Sequence, residues 1–230
     1  MCSRYSLIKT KDTIESRFGI TIKDPWKPRY NVAPLKEMPV VTQSNPKEAS
    51  FFRWGFIPNW SEQESVGTNL INAKAETVFS KAPFKQSIKS LRCLILADGF
   101  YEWKREGKNR IPYRITLSSD EAFAFAGIWD SWETRDTVIN TFSIITTEAN
   151  SLMRELSDRM PVILPKSAEQ DWLRKDLKEQ EIKDLLISYD SSKMSTYKAH
   201  KAVNQPDYDT PECIQVAPKI YPGESYGLFE

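Results

Sequence analysis

Histidine occurs once in the 230 residues, at His200, and cysteine three times, at Cys2, Cys93 and Cys213, no two of them close together. That scarcity argues against a disulfide framework and against a zinc site, each of which needs clustered thiols or imidazoles. No metal and no other cofactor is expected. Also missing is any apolar run near the ~20 residues that a membrane span requires, and the start lacks the basic-then-apolar layout of a secretory signal. A cytoplasmic protein without a membrane partner is the expectation. Charge of one sign is absent too: 32 Lys plus Arg stand against 31 Asp plus Glu, a net charge of +1. With no global field to attract nucleic acid, any phosphate site must come from local placement. What is present, 40% hydrophobic and 27% charged residues, is ordinary globular composition. Without repeats, low-complexity tracts or long linkers, residues 1–230 read as one domain.

Residues 10–19 begin with capping residues and end in Gly19, which predicts a short helix. Pro25, Pro28, Pro34 and Pro39 break residues 24–39 into an extended loop holding Arg29-Tyr30-Asn31-Val32-Ala33-Pro34. Strands are expected at 40–43 and 51–56, the second closed by a turn at Ile57-Pro58-Asn59-Trp60. Residues 70–78 lead into a helix, and another short one starts at Pro83. Between 91 and 146, five apolar or alternating segments (91–96, 99–104, 111–117, 122–129 and 138–146) read as antiparallel sheet and form the core. Residues 148–156 look helical, 160–164 strand-like, 167–187 like two surface helices, and 195–199 like a last strand.

The stretch with the most distinctive chemistry is Met1-Cys2-Ser3-Arg4-Tyr5. If Met1 is removed, Cys2 carries a free amine and a thiol on adjacent carbons. Such an aminothiol condenses with an aldehyde to an imine, and the thiol then closes on the same carbon to give a thiazolidine. In Asp98-Gly99-Phe100-Tyr101-Glu102-Trp103, strand alternation puts Glu102 on the face of Phe100, opposite Tyr101 and Trp103. A carboxylate there is either solvent-facing, the commoner outcome, or buried with a raised pKa that suits a proton donor. Asn72 precedes a helical stretch and reads as a cap. Lys74 and Arg159 read as solvated cations, Cys93 as an inert core residue and His200 as a surface residue.

Taken in order, Met-Cys-x-Arg-Tyr, Arg-Tyr-Asn-Val-Ala-Pro, Trp-Gly-Phe-Ile-Pro-x-Trp, Ile-Asn-Ala-Lys-Ala-Glu-Thr, Ala-Asp-Gly-Phe-Tyr-Glu-Trp, Ala-Gly-Ile-Trp-Asp, Thr-Thr-Glu-Ala-Asn and Asp-Arg-Met-Pro-Val-Ile-Leu resemble the SRAP family, the SOS-response-associated peptidases that process abasic sites in DNA. The resemblance runs from Met1 to about residue 215. It implies an α+β fold with an antiparallel, partly open β-barrel-like sheet flanked by helices, and a cleft for single-stranded or junction DNA carrying an abasic site. It further implies that Cys2 attacks the ring-opened sugar, that Asn72 positions the adduct, and that Glu102 moves protons. Arg4, Lys74 and Arg159 would hold flanking phosphates, while Pro34, Trp60 and Trp103 would stack on neighbouring bases. A monomer associated with the nucleoid through DNA is the corresponding partner expectation.

Two positions depart from the family pattern. Ser3 stands where a glycine is usual, adding a Cβ beside the cysteine. Ser157 stands where a histidine is common, and a hydroxyl cannot exchange protons near pH 7 as imidazole does. Two other readings of the start remain. An N-terminal-nucleophile amidotransferase also begins with Met-Cys but needs oxyanion donors, often from an Asn-Gly pair, which this chain lacks. A non-enzymatic single-strand-binding module would leave Cys2 incidental. A peptidase acting on other proteins lacks a Cys-His pairing, so only self-removal of Met1 is expected of that kind.

Overall fold

Apolar strand segments dominate this chain, and they pair into two sheets in a computed structural model that describes residues 2–218. Met1, and with it the expected removal of that residue, lies outside the described residues. The larger sheet contains β2 (Thr21–Ile22), β4 (Glu37–Thr42), β5 (Glu48–Trp54), β6 (Asn72–Lys74), β7 (Arg92–Ala97), β10 (Phe123–Glu133), β11 (Val138–Glu148), β12 (Arg159–Pro161) and β13 (Ile163–Leu164). The smaller runs in the order β14 (Met194–Lys198), β9 (Asn109–Leu117), β8 (Gly99–Glu106), β1 (Tyr5–Leu7), β3 (Arg29–Val32).

Five strands of the larger sheet close on themselves. β11, β10, β7, β4 and β5 pair in succession, antiparallel at each step, and β5 then returns to β11 through Thr141↔Arg53 and Phe142↔Trp54. Four antiparallel steps leave the first and last strands pointing the same way, so the closing seam has to be parallel. This corrects the expectation of a partly open, wholly antiparallel barrel. β6 also pairs in parallel with β11, and β2 with β5.

Large side chains fill the barrel. Trp54 and Phe142 stack across the seam with centroids 6.4 Å apart, and Tyr5 of β1 meets the edges of Trp54 and Phe125 at 5.2 and 5.8 Å. Tyr5, Trp54, Phe125 and Phe142 are all fully buried. These contacts fasten the smaller sheet to the barrel wall. A satellite cluster of Tyr101, Ala199, Val203 and Cys213 lies on the other side of β8. Among the described residues, the α-helices α1 (Lys11–Phe18), α2 (Ser87–Ser90), α3 (Glu169–Trp172) and α4 (Glu179–Leu185) are short, and the sheets carry the architecture. α1 has the predicted boundaries, with Thr10 capping Thr13 and Gly19 left-handed at φ 63°.

Several expectations change. The proline-broken loop 24–39 contains β3 and the start of β4. Pro39 does not stop β4, because its pairing with β7 begins only at Val40, so the missing N–H falls where the strand has one neighbour. The helix expected after residue 70 is instead β6 followed by turns, since pairing with β11 outweighs the helix preference of the alanines. The helix expected at 148–156 reduces to a 3-10 turn at Met153–Glu155 after β11 ends at Glu148, and that expected at Pro83 forms only at Ser87–Ser90. Among the described residues no helix is long and apolar enough to cross a membrane, and no group of three or more His, Cys, Asp or Glu could hold a metal ion.

Candidate functional site

β1 pairs antiparallel with β8 through Tyr5↔Phe100 and Ser6↔Gly99, and the Tyr101 N–H donates to the Arg4 carbonyl at 3.0 Å. Followed toward the chain start, this pairing brings Cys2 and Ser3 alongside Glu102. From the other side, Asn72 at the head of β6 donates its Nδ2 to the Cys2 carbonyl at 2.7 Å. The Oδ1 of Asn72 is buried and accepts no hydrogen bond among the described residues. Asn72 is therefore a strand residue aimed at Cys2, which corrects its reading as a helix cap.

Cys2 is fully buried, with Sγ 3.7 Å from the Arg4 carbonyl. Burial, and after it the negative charge of Glu102, push its thiol well above the ordinary range. At neutral pH Cys2 is a protonated thiol. Glu102 is 6% exposed, so the solvent-facing alternative gives way to burial. The predicted alternation holds: Phe100 joins the main core, while Tyr101 and Trp103 pack with the satellite cluster. Glu102, Ser3, Trp103 and Ser157 line one cleft of about 700 Å³.

The remaining candidates divide into three groups. Lys74 is exposed and lies opposite Thr146 on β11, and Arg159 donates to the Thr146 carbonyl at 2.6 Å from the β12 side. Arg159 is also held by Glu76 through two hydrogen bonds of 3.0 Å each, and its N–H donates to Ser157 Oγ at 3.3 Å. Burial would raise the Glu76 pKa, but those bonds outweigh it and hold the carboxyl below its usual range. Arg4 and Trp103 turn to the segment after β14 instead: Arg4 Nη1 donates to Asn31 Oδ1 at 3.2 Å and the Val203 carbonyl at 2.9 Å, and Trp103 Nε1 to Asn204 Oδ1 at 2.7 Å. Burial lowers the Arg4 pKa.

Pro34 and Trp60 sit on turns. Leu35, the residue after Pro34, holds φ 70° and donates its N–H to the Trp54 carbonyl at 2.7 Å. Trp60 is 62% exposed on a turn braced by Asp130, which accepts from the Asn59 N–H at 3.0 Å, and by Trp132, which donates to the Ser61 carbonyl at 2.7 Å. Gly55 starts this excursion at φ 136°, where a Cβ would stand 2.8 Å from the Gly67 carbonyl oxygen.

The sequence reading missed what holds these groups. Asn31 Nδ2 donates to the carbonyls of Val203, Gln205 and Tyr208, and Asp209 accepts from the N–H groups of Tyr30 and Asn31 and from Arg29. Residues 199–209 thus form a strap across β3 that also grips Arg4. Asn31 and Glu76 both lie inside motifs recognised above, but Asp209 is 178 residues from Asn31 and carries no local signal. His200 caps the 3-10 turn in this strap by accepting from the Ala202 N–H, and Cys93 is fully buried in the barrel.

The chain as a whole is similar to known proteins. A family model described as SOS response associated peptidase (SRAP) matches residues 1–206. The abasic site processing protein YoaM of Bacillus subtilis (strain 168) is 39% identical over 221 residues, covering 93% of this chain and 97% of that protein. YoqW of Bacillus phage SPbeta, also named an abasic site processing protein, is 40% identical over 222 residues, covering 94% and 99%. A crystal structure of a protein from Bacteroides thetaiotaomicron is similar with a TM-score of 0.87 at 32% identity, covering 94% of this chain and all of that one (100%).

Proposed function

Because this chain belongs to the SOS response associated peptidase family, we propose that it processes abasic sites in DNA by trapping the ring-opened sugar on Cys2. The DNA is single-stranded or a junction, and the product is a thiazolidine. The observation that carries this reading is the meeting of Cys2 with Asn72 at 2.7 Å and with the charge of Glu102 across the head of β8.

The steps balance without a cofactor. Hydrolysis of the Met1–Cys2 bond frees the α-amine, which adds to the C1′ aldehyde and loses water to give an imine. The Cys2 sulfur then adds to the imine carbon, and its proton ends on nitrogen. A neutral thiol has to give up that proton as the C–S bond forms, and the adjacent carboxylate of Glu102 is suited to receive it and return it to the amine. Asn72 fixes the Cys2 backbone through Nδ2, leaving Oδ1 to accept from the sugar or amine.

With no base to read, affinity rests on phosphates and stacking. Lys74 offers a cation directly. Arg159 reaches a phosphate only by releasing Glu76, so its gain is the difference between two charge-assisted contacts. Arg4 acts by holding the start of β1 against the strap, and Pro34, Trp60 and Trp103 supply faces for neighbouring bases.

Intact-mass measurement after incubation of demethionylated protein with abasic single-stranded oligonucleotide tests the reading. The expected product weighs protein plus oligonucleotide less one water, and Cys2→Ala abolishes it. Unmodified wild-type protein overturns the proposal. In single-turnover form, the same assay is expected to run faster with Ser157→His, because an imidazole beside the cleft adds a proton carrier near pH 7. Equal rates would remove Ser157 from the proton path.

A further inference from the structure

We propose that the β8–β9 hairpin is a phosphate-binding arm: Arg105 and Arg110, with Arg154 across the cleft, hold the backbone of one arm of the DNA as it leaves the site. This rests on the reading of a DNA-binding cleft given above and names cations outside that reading.

The hairpin register places Arg105 directly opposite Arg110. Like charges facing each other across two strands destabilise the pair unless a counter-ion lies between them. Neither guanidinium has a hydrogen-bond or ion-pair partner among the described residues, and both side chains are exposed. Lys104 adds a cation beside them whose nearest carboxylate, Glu106, is 3.8 Å away.

Arginines elsewhere behave differently. Of the twelve in the chain, six are paired with carboxylates: Arg17, Arg29, Arg53, Arg114, Arg159 and Arg174. Arg4 and Arg92 donate to backbone carbonyls inside the fold. Four remain, and three of them, Arg105, Arg110 and Arg154, line the cleft that holds Glu102 and Ser157. Among the described residues, the Arg154 guanidinium spends only Nε, on the Ala149 carbonyl at 3.1 Å. Glu155 and Asp158 line the same cleft and pair with none of the three among the described residues. Forked guanidinium donors without carboxylate partners among the described residues, lining a cleft shared with Ser3 and Glu102, match the spacing problem posed by a phosphodiester chain.

The test uses reversible binding, so it does not depend on crosslinking. A single-stranded oligonucleotide carrying a tetrahydrofuran abasic analogue, which has no aldehyde, is titrated against full-length protein at several salt concentrations. In the double variant R105Q/R110Q, affinity at low salt is expected to fall roughly tenfold, and the salt slope to become shallower by about 1.4 log units per log unit, two phosphates at about 0.7 each. R135Q, which changes the fourth unpaired arginine away from the cleft, leaves both unchanged, and R105K/R110K restores the slope. The melting temperature of R105Q/R110Q does not fall, because a repulsive pair has been removed. Removing nucleotides from one side of the analogue erases the difference between wild type and R105Q/R110Q, and removing them from the other side does not. An unchanged slope, an equal loss in R135Q, or a difference that survives shortening from either side overturns the arm. Loss of crosslinking on the aldehyde-bearing oligonucleotide would overturn the trapping reaction and leave this proposal intact.

Discussion

In the barrel, Trp54 and Phe142 stack within a core where Phe125 and Ile95 are likewise buried and apolar; in the sheet that carries Glu102, Tyr5 packs on that core but the side chains that tie one strand to the next are polar. There Asp98 accepts from Ser6 at 2.8 Å and from Arg114 at 3.1 Å, and from the N–H groups of Ile8 and Lys9, tying β1 to β8 and β9. Asn31 and Asp209 tie β3 to the strap, and the strap to Arg4. The difference separates two tasks. Apolar packing resists deformation whatever its orientation, whereas hydrogen bonds to a charged group set direction and register. A site that must hold an amine, a thiol and a carboxylate in one geometry is built on the second kind.

The comparison can be broken most severely at the seam. Trp54→Ala removes a fully buried ring that stacks on Phe142, meets Tyr5 and donates to the Ile71 carbonyl at 2.9 Å. A loss of about 3–5 kcal/mol is expected in urea unfolding; a change under about 1 kcal/mol would show that the seam contributes little. Asp209→Ala acts on the polar side and costs less, about 2 kcal/mol, because one carboxylate accepting from Arg29 and two backbone N–H groups is lost. It should also act locally: hydrogen exchange at Tyr30, Asn31 and residues 199–209 accelerates while barrel amides keep their protection. Uniform acceleration would mean that strap and barrel open together.

The smallest effect comes from pH. Burial pushes the thiols of Cys2 and Cys93 far up, one in the site and one in the barrel. Folded protein therefore keeps protons that the unfolded chain releases above about pH 8.5. Stability is flat below that point and declines above it, by about 1 kcal/mol per thiol for each further pH unit. In Cys2→Ala the decline measured by thermal melting between pH 8.5 and 9.5 is shallower. An identical slope would mean that Cys2 is open to solvent.

Much of the strand inventory was legible because alternation and apolar runs are local: β7, β8, β9, β10 and β11 lie where the pattern puts them, and Thr10 and Gly19 bound α1 as their chemistry requires. β6 was not, since Asn72-Ala73-Lys74 has neither length nor alternation and becomes a strand only through β11, 72 residues away in the register Ile144↔Asn72. Closure was hidden for the same reason, as nothing within Glu48–Trp54 names β11 as its partner. In the site, Cys2 and Glu102 could be singled out by their chemistry. The burial of Glu102, the capture of Arg159 by Glu76 and the strap gripping Arg4 are consequences of long-range placement, which residue type does not encode.

The parallel seam also constrains how the chain is made. A ring of five strands is complete only when β11 meets β5, and the segment between them, which holds β7 and β10, has to be synthesised first. Until then Trp54 lacks the Phe142 ring that stacks on it, and a nascent chain that stops short of Phe142 presents the unpaired edge of β5 at Arg53 and Trp54. Ribosomal pauses before that residue would lengthen the interval in which such an edge can recruit another chain.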